Sequence, residues 1–153
     1  MPVKKLKEFL DKEKIKYISI IHSPAYTAQE VAASAHITGK ELAKTVIVEL
    51  DRKMAMAVLP ANRKIVLQDL REVTGSEEVK FASEEQFQAK FAGCETGAMP
   101  PFGNLYGMEV FMAESLSAND EIAFNAGSHT EVIKMKFDDF ERLVNPKVVS
   151  FTT

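Results

Sequence analysis

The chain has 153 residues, 46% of them hydrophobic and 27% charged, with a formal net charge of -3. That length suits one domain whose core needs neither disulfide nor metal, and the charge excludes a general nucleic-acid coat protein, whose affinity rests on many Lys and Arg contacts to phosphate. The single cysteine, Cys94, excludes an internal disulfide and, with no second Cys near a His pair, the usual zinc spacings; it fits a reducing cytoplasm.

The N-terminal stretch MPVKKLKEFLDKEKIK mixes acids with lysines and has no apolar run of signal-peptide length. No later apolar run approaches a membrane span, so a soluble, cytoplasmic protein is expected. Val3, Leu6, Phe9 and Leu10 recur at helical spacing and predict an amphipathic helix with a lysine-rich outer face. Residues 17–21 (YISII) read as a short strand. Thr27, followed three positions later by Glu30, is a capping-box signature that opens a helix over AQEVAASA.

The β-branched run TVIVEL predicts a strand covered on both faces, and MAMAVLP follows it across DRK as the second arm of a hairpin. LQDLREVTG and SEEQFQAKFAG read as helices, the second ending at Gly93 as a C-cap. MEVFMAESL and EIAFNAG read as strands. TEVIKMKF alternates, with Val132, Lys134 and Lys136 on one face and Ile133, Met135 and Phe137 on the other; DDFERLV then predicts a helix and KVVSF a last strand.

Strands outnumber helices, without strict βαβ alternation or any internal repeat. The expected class is α+β, a single domain over residues 1–153 built round a mixed, largely antiparallel curved sheet or partly closed barrel with surrounding helices. A Rossmann-type fold is disfavoured, because no G-x-G-x-x-G follows a strand and opens a helix.

Few residues invite a chemical reading. Lys44 stands where polar KELAK meets the buried run TVIV. It can snorkel its ammonium into solvent, or hold it at a pocket mouth against a phosphate or an oxyanion. The loop GAMPPFG sets two prolines in succession, removes two backbone donors and pushes Met99 to extended geometry. It is either a stiff surface turn or a frame for backbone groups that orient water or a ligand. His129, in NAGSHTEV, and His22, in IIHSPAYT, flank strands and are open to structural or hydrogen-bonding roles. His36 reads as a helix-end residue. Cys94 follows a helix C-terminus, where the dipole disfavours a thiolate, and no G-x-S-x-G elbow is present; no protein nucleophile is expected.

Taken together and in order, HSPAYTAQEVA, GKELAKTVIVEL, GAMPPFG and NAGSHTEVIKM resemble the YbaK-type aminoacyl-tRNA editing domain, a family of free-standing deacylases that includes the domain inserted in bacterial prolyl-tRNA synthetases. The resemblance spans almost the whole chain. It implies a six- or seven-stranded mixed sheet, and it assigns roles residue by residue. Lys44 falls on the family's essential lysine, which holds phosphate and terminal adenosine of the tRNA acceptor end. Gly97 and Pro101 fall on its G-x-x-x-P motif, whose backbone places the aminoacyl group and water, with Phe102 and Gly103 beside it. His129 falls near a loop histidine that lines the site in many members and is expected with Lys44 and Gly97 among the catalytic residues, Ser128 beside it binds substrate, and His22 and Thr27 belong to a first motif that shapes the pocket wall.

The implied reaction is hydrolysis of a mischarged aminoacyl-tRNA, such as a tRNA for proline carrying alanine or cysteine, by positioned water without metal, cofactor or protein nucleophile. The competing reading is a non-catalytic module that binds aminoacyl or nucleotide ligands or docks on a synthetase. A charge of -3 limits RNA recognition to the acceptor end, helped by Lys4, Lys5, Lys7, Lys12 and Lys14 or by a synthetase partner; neither DNA nor membrane is an expected partner. Pocket size sets which amino acid is removed, and Met54, Met56, Met99 and Phe102 are candidates to tune it.

Overall fold

The structure, a computed structural model, describes residues 2–25, 27–91, 94–95 and 97–153, with only the backbone of residues 2, 3, 28 and 29. The side chain of Val3 and the predicted C-cap at Gly93 lie outside the described residues. Helix α1 (Pro2–Lys12) turns Leu6 and Leu10 fully into the core, as their spacing predicts. Strand β1 (Tyr17–Ile21) has the predicted bounds. Helix α2 (Ala28–Ser34) starts where Thr27 Oγ1 accepts the Glu30 backbone N–H at 3.1 Å, the forward half of a capping box.

Strands β2 (Leu42–Leu50) and β3 (Lys53–Pro60) form the expected hairpin. Its two turn residues, Asp51 and Arg52, both have positive φ, 50° and 72°, as a primed turn requires. Asp51 Oδ1 also accepts the backbone N–H groups of Glu77 and Glu78, which holds the turn against the approach to β4 (Val79–Phe81). Helix α3 (Leu67–Thr74) precedes β4 and ends on Gly75 at φ 71°. β4 has no counterpart in the sequence reading: three residues among charges carry no pattern of their own, and pairing with the far half of β2 makes them a strand.

The helix predicted over SEEQFQAKFAG is shorter than expected. Helix α4 (Glu84–Phe87), opened by a full Ser83/Gln86 capping box, tightens into a 3-10 turn (Gln88–Phe91) that sets the Phe91 ring 4.4 Å from Tyr106. Then come β5 (Glu109–Ala113), α5 (Glu114–Ser117), β6 (Glu121–Asn125), β7 (Glu131–Lys136), α6 (Phe137–Val144) and β8 (Lys147–Val149).

Among the described residues the sheet has eight strands, in the order β1-β7-β6-β2-β3-β5-β8 with β4 beside β2, against the six or seven expected. β1 and β8 are free edges, so it is an open mixed sheet and not a closed barrel. Four ladders are antiparallel (β1/β7, β2/β3, β2/β4, β6/β7) and three parallel (β2/β6, β3/β5, β5/β8). β7 alternates as read from sequence: Ile133 and Met135 join the main core, while Lys134 reaches Glu41 and Glu121 at 3.6 Å each. No helix among the described residues is long and apolar enough to cross a membrane.

Candidate active site

The site is best built from the loop that carries Gly97. Ala98 N–H donates to Glu95 O (3.0 Å), Gly127 N–H to Ala98 O (2.8 Å) and Glu95 N–H to Gly127 O (2.9 Å), so the loop before Pro100 is laced to the one between β6 and β7. Glu95 Oε2 accepts the His129 backbone N–H at 3.0 Å and stands 3.8 Å from His129 Nε2. Gly97 has φ +84°, a conformation that disfavours side chains, and a Cβ built on it would lie 3.6 Å from His129 Cε1. Gly97 thus presents bare backbone to the edge of the buried His129 ring.

The first motif is fastened to the same loop. His22 N–H donates to Thr130 O (2.9 Å) and Ala25 N–H to His129 O (3.1 Å). His22 is buried, and its Nδ1 lies 2.8 Å from Ser23 O, a group that only accepts. Nδ1 therefore carries a proton there, and Nε2 has no partner among the described residues. Ser128 Oγ meets Thr130 Oγ1 at 2.9 Å and accepts the Thr130 N–H at 3.1 Å, which fixes the turn that presents His129. Thr27, exposed, spends its hydroxyl oxygen on capping α2.

Lys44 arrives from β2. It pairs with Leu59 of β3, and Ala43 pairs with Phe124 of parallel β6, so Lys44 stands one step on, level with Asn125 where β6 passes into the His129 loop. Burial first, then the charge of Lys64, lowers its pKa below the ordinary lysine range.

Two residues expected beside the motif as substrate-binding, Phe102 and Gly103, are buried. Phe102 has no exposed surface; its ring packs edge-on against Phe124 at 5.2 Å and Phe140 at 5.3 Å, so it is core rather than pocket wall. Gly103 is also buried, and a Cβ there would fall 2.3 Å from Met108 O. Both anchor the loop from beneath, with buried Pro100 and Pro101 stiffening it above. Burial chiefly pushes the Cys94 thiol above the ordinary cysteine range. His36, exposed at φ 57° just past α2, is the helix-end residue expected.

The lysine row of α1 is partly committed: Lys4 meets Glu8 (3.9 Å), Lys5 donates to Leu105 O (3.0 Å), and Lys7 meets Glu131 (2.7 Å). Lys12 and Lys14 remain exposed. The sequence reading missed Glu95, whose partner His129 is far away in sequence; a carboxylate beside Cys94 in a loop carried no sign of it. Among the described residues no cluster of three or more His, Cys, Asp or Glu could hold a metal. A wide groove lined by Arg52, Lys53, Thr74, Lys90 and Lys147 opens at the turn end of the β2/β3 hairpin, six residues or about 20 Å along β2 from Lys44; Met54 lines it, but none of Lys44, Gly97, Pro101, Ser128, His129, His22 and Thr27 does.

A family model described as "Aminoacyl-tRNA editing domain" matches residues 22–143. The prolyl-tRNA editing protein ProX of Acetoanaerobium sticklandii is 28% identical over 141 residues, covering 88% of this chain and 85% of that protein. The multifunctional Ser/Thr-tRNA deacylase ProXp-y of Escherichia coli is 32% identical over 98 residues, and the match covers 63% of this chain and 58% of that protein. Among solved structures, one described as a candidate trans-editing enzyme for prolyl tRNA synthetase superposes with a TM-score of 0.84 over 99% of this chain and 97% of the other, at 15% identity. At that identity the likeness shows the fold.

Proposed function

Because the chain belongs to the aminoacyl-tRNA editing domain family, we propose that it is a free-standing aminoacyl-tRNA deacylase, which hydrolyses the ester between a wrongly attached amino acid and the 3′ end of a tRNA. The carrying observation is the Gly97 backbone, at φ +84° beside His129, with its neighbours Glu95 and Ala98 hydrogen-bonded to the loop between β6 and β7. A frame of that kind fits positioning catalysis, since an aminoacyl ester is already activated and hydrolysis needs chiefly alignment and oxyanion stabilisation.

In this reading the Lys44 ammonium binds a phosphate of the acceptor end and brings the ester to the loop. Backbone groups of residues 97–101 orient the aminoacyl carbonyl and a water. Water adds to the carbonyl carbon, the bond to the ribose oxygen breaks, and that oxygen leaves with a proton, the neighbouring ribose hydroxyl assisting. His129, beside Gly97, bounds the amino-acid side of the pocket. A small pocket admits small side chains and rejects larger ones sterically.

The proposed substrate is a tRNA for proline carrying alanine or cysteine. The name of the Escherichia coli relative adds serine and threonine to the acids worth testing. A synthetase partner and a cytoplasmic site of action belong to the same proposal. The test is hydrolysis of alanyl, cysteinyl, seryl, threonyl and prolyl esters of one tRNA: release of one small amino acid above the spontaneous rate supports the proposal and names the substrate. No release from any ester, with or without a synthetase, favours a non-catalytic binding module.

A further inference from the structure

Where α3 stops, one face of the sheet is left uncovered. The helix has eight residues, about 12 Å of length, and its Leu70 joins Ala57 and Leu59 of β3 in one core cluster before the chain turns away at Gly75. The strands extend beyond that end. Ala55 pairs with Glu109 at the start of β5 and Phe111 with Lys147 at the start of β8, so these four share the face that α3 covers further along. The groove at the hairpin turn opens there, with a volume of about 660 Å³. Small-ligand sites span roughly 300–1,000 Å³.

Cations converge on this one cavity from three segments: Arg52 and Lys53 from the β2/β3 turn, Lys90 from the 3-10 turn after α4, and Lys147 from β8. Glu109 is the one carboxylate among the described lining residues, and it is already paired with Lys147 at 3.4 Å. Arg52 also borders a shallow depression with Asp51, Glu77 and Glu78, so the excess of positive charge rests on Lys53 and Lys90, which meet no carboxylate among the described residues. Between the cations the surface is apolar: Met54, Val73, Met108 and Val149 line it, and Val73 is exposed there. A ligand must satisfy both parts. Cations from separate segments on one small cavity match a phosphate chain better than a single carboxylate, and a bed of two methionines and two valines at the edge of a sheet suits a flat ring.

We propose that this groove is a second binding site, for a nucleoside phosphate: the base lies on Met54, Val73, Met108 and Val149, and the phosphates meet Lys53 and Lys90, with Arg52 beside them. About 20 Å of β2 separates the groove from Lys44, so both can be filled at once. Ester hydrolysis consumes no nucleotide, so the ligand is bound and not turned over. It has two sources, a free nucleotide or a nucleotide of RNA, and the groove reads the same chemistry in either. Only the second source rests on the deacylase reading.

The test titrates the full chain with ATP, tripolyphosphate, uncharged tRNA and polyglutamate, as wild type, Lys53→Gln, Lys90→Gln, Lys90→Arg and Val73→Glu. Wild type is expected to bind ATP saturably at one site, about tenfold more tightly than tripolyphosphate, which leaves the apolar bed empty. Lys53→Gln and Lys90→Gln are each expected to weaken ATP about tenfold, and Lys90→Arg to restore it. Val73→Glu, at an exposed position, is expected to abolish ATP binding with an unchanged melting temperature. If tRNA displaces ATP and weakens in the same variants, RNA is the source; if tRNA binding is indifferent to them, the source is a free nucleotide. The site is overturned if ATP does not bind saturably, or if the variants leave its affinity unchanged. Tripolyphosphate binding as tightly as ATP makes the groove a general polyanion patch, and polyglutamate displacing ATP at equal charge assigns it to an acidic protein segment; either overturns the proposal. Ester hydrolysis on the same samples keeps the two readings apart: its absence sinks the deacylase and leaves ATP binding as found, and where it occurs the variants are expected to keep the wild-type kcat.

Discussion

Glu95 and His129 lie thirty-four positions apart, yet Glu95 Oε2 accepts the His129 backbone N–H at 3.0 Å and stands 3.8 Å from the same residue's Nε2. One carboxylate thus holds the turn and stands beside the ring that faces Gly97. Glu95→Ala is expected to lower deacylation about tenfold, since a charge-assisted hydrogen bond is worth roughly 1.5–3 kcal/mol. With the Glu95 side chain half exposed, thermal stability should fall much less than activity. Steady-state rates and a melting curve on the same sample check this; equal losses of both would make Glu95 a stability residue only.

The two glycines of the loop should behave differently. Gly97→Ala meets only an ordinary contact at 3.6 Å but an unfavourable φ of +84°, which costs about 1 kcal/mol and displaces the backbone proposed to position the ester. Gly103→Ala drives a Cβ to 2.3 Å from a backbone oxygen, and an expected loss of about 3 kcal/mol places it among severe overpacking changes. Urea unfolding and activity together separate them: Gly97→Ala is active-site defective and well folded, whereas Gly103→Ala is unstable. A Gly97→Ala variant with full activity would remove the loop backbone from the reaction.

Acid should loosen α1. Burial alone would raise the Glu131 pKa, but hydrogen bonds from Lys7 and Ser19 and the charge of Lys7 outweigh it, so its carboxyl titrates below the usual glutamate range. A depressed folded pKa gives stability that is present above the unfolded value and is lost as pH falls through the folded one. Melting temperature measured from neutral pH downward should therefore drop more steeply in wild type than in Glu131→Gln. Lys7→Ala should cost about 2 kcal/mol at neutral pH.

Lys44 sets the alkaline limit. Burial, and secondarily Lys64, holds its ammonium below the ordinary lysine range, and raising the pH removes the charge proposed to bind phosphate. After subtraction of spontaneous ester hydrolysis, kcat/KM should fall on an alkaline limb that Lys64→Gln moves to higher pH. A limb that stays in place would mean the two ammonium groups do not feel each other.

Much of this architecture is legible in the residues themselves. β1, the β2/β3 hairpin and the alternation in β7 come from periodicity and β-branched runs, which report directly on which face is buried. What periodicity cannot see is set by long-range pairing. β4 exists because β2 offers it a free edge, and β5 and β8, legible as strands, gave no local sign of their parallel pairing. The site divides the same way. Lys44, Gly97 and His129 carry motif signals, but the Glu95 bridge and the proximity of Lys64 arise only when loops distant in sequence meet, and Phe102, adjacent to the motif, turns inward into the aromatic core.

The account stands or falls on positioned hydrolysis through Lys44 and the Gly97 loop. Single-turnover cleavage of alanine-charged tRNA for proline, with enzyme in excess, compares wild type and Lys44→Ala most directly. The predicted result is release of alanine by wild type well above the spontaneous rate, and a loss of about a hundredfold or more in Lys44→Ala with folding intact. Equal release by both proteins would contradict it.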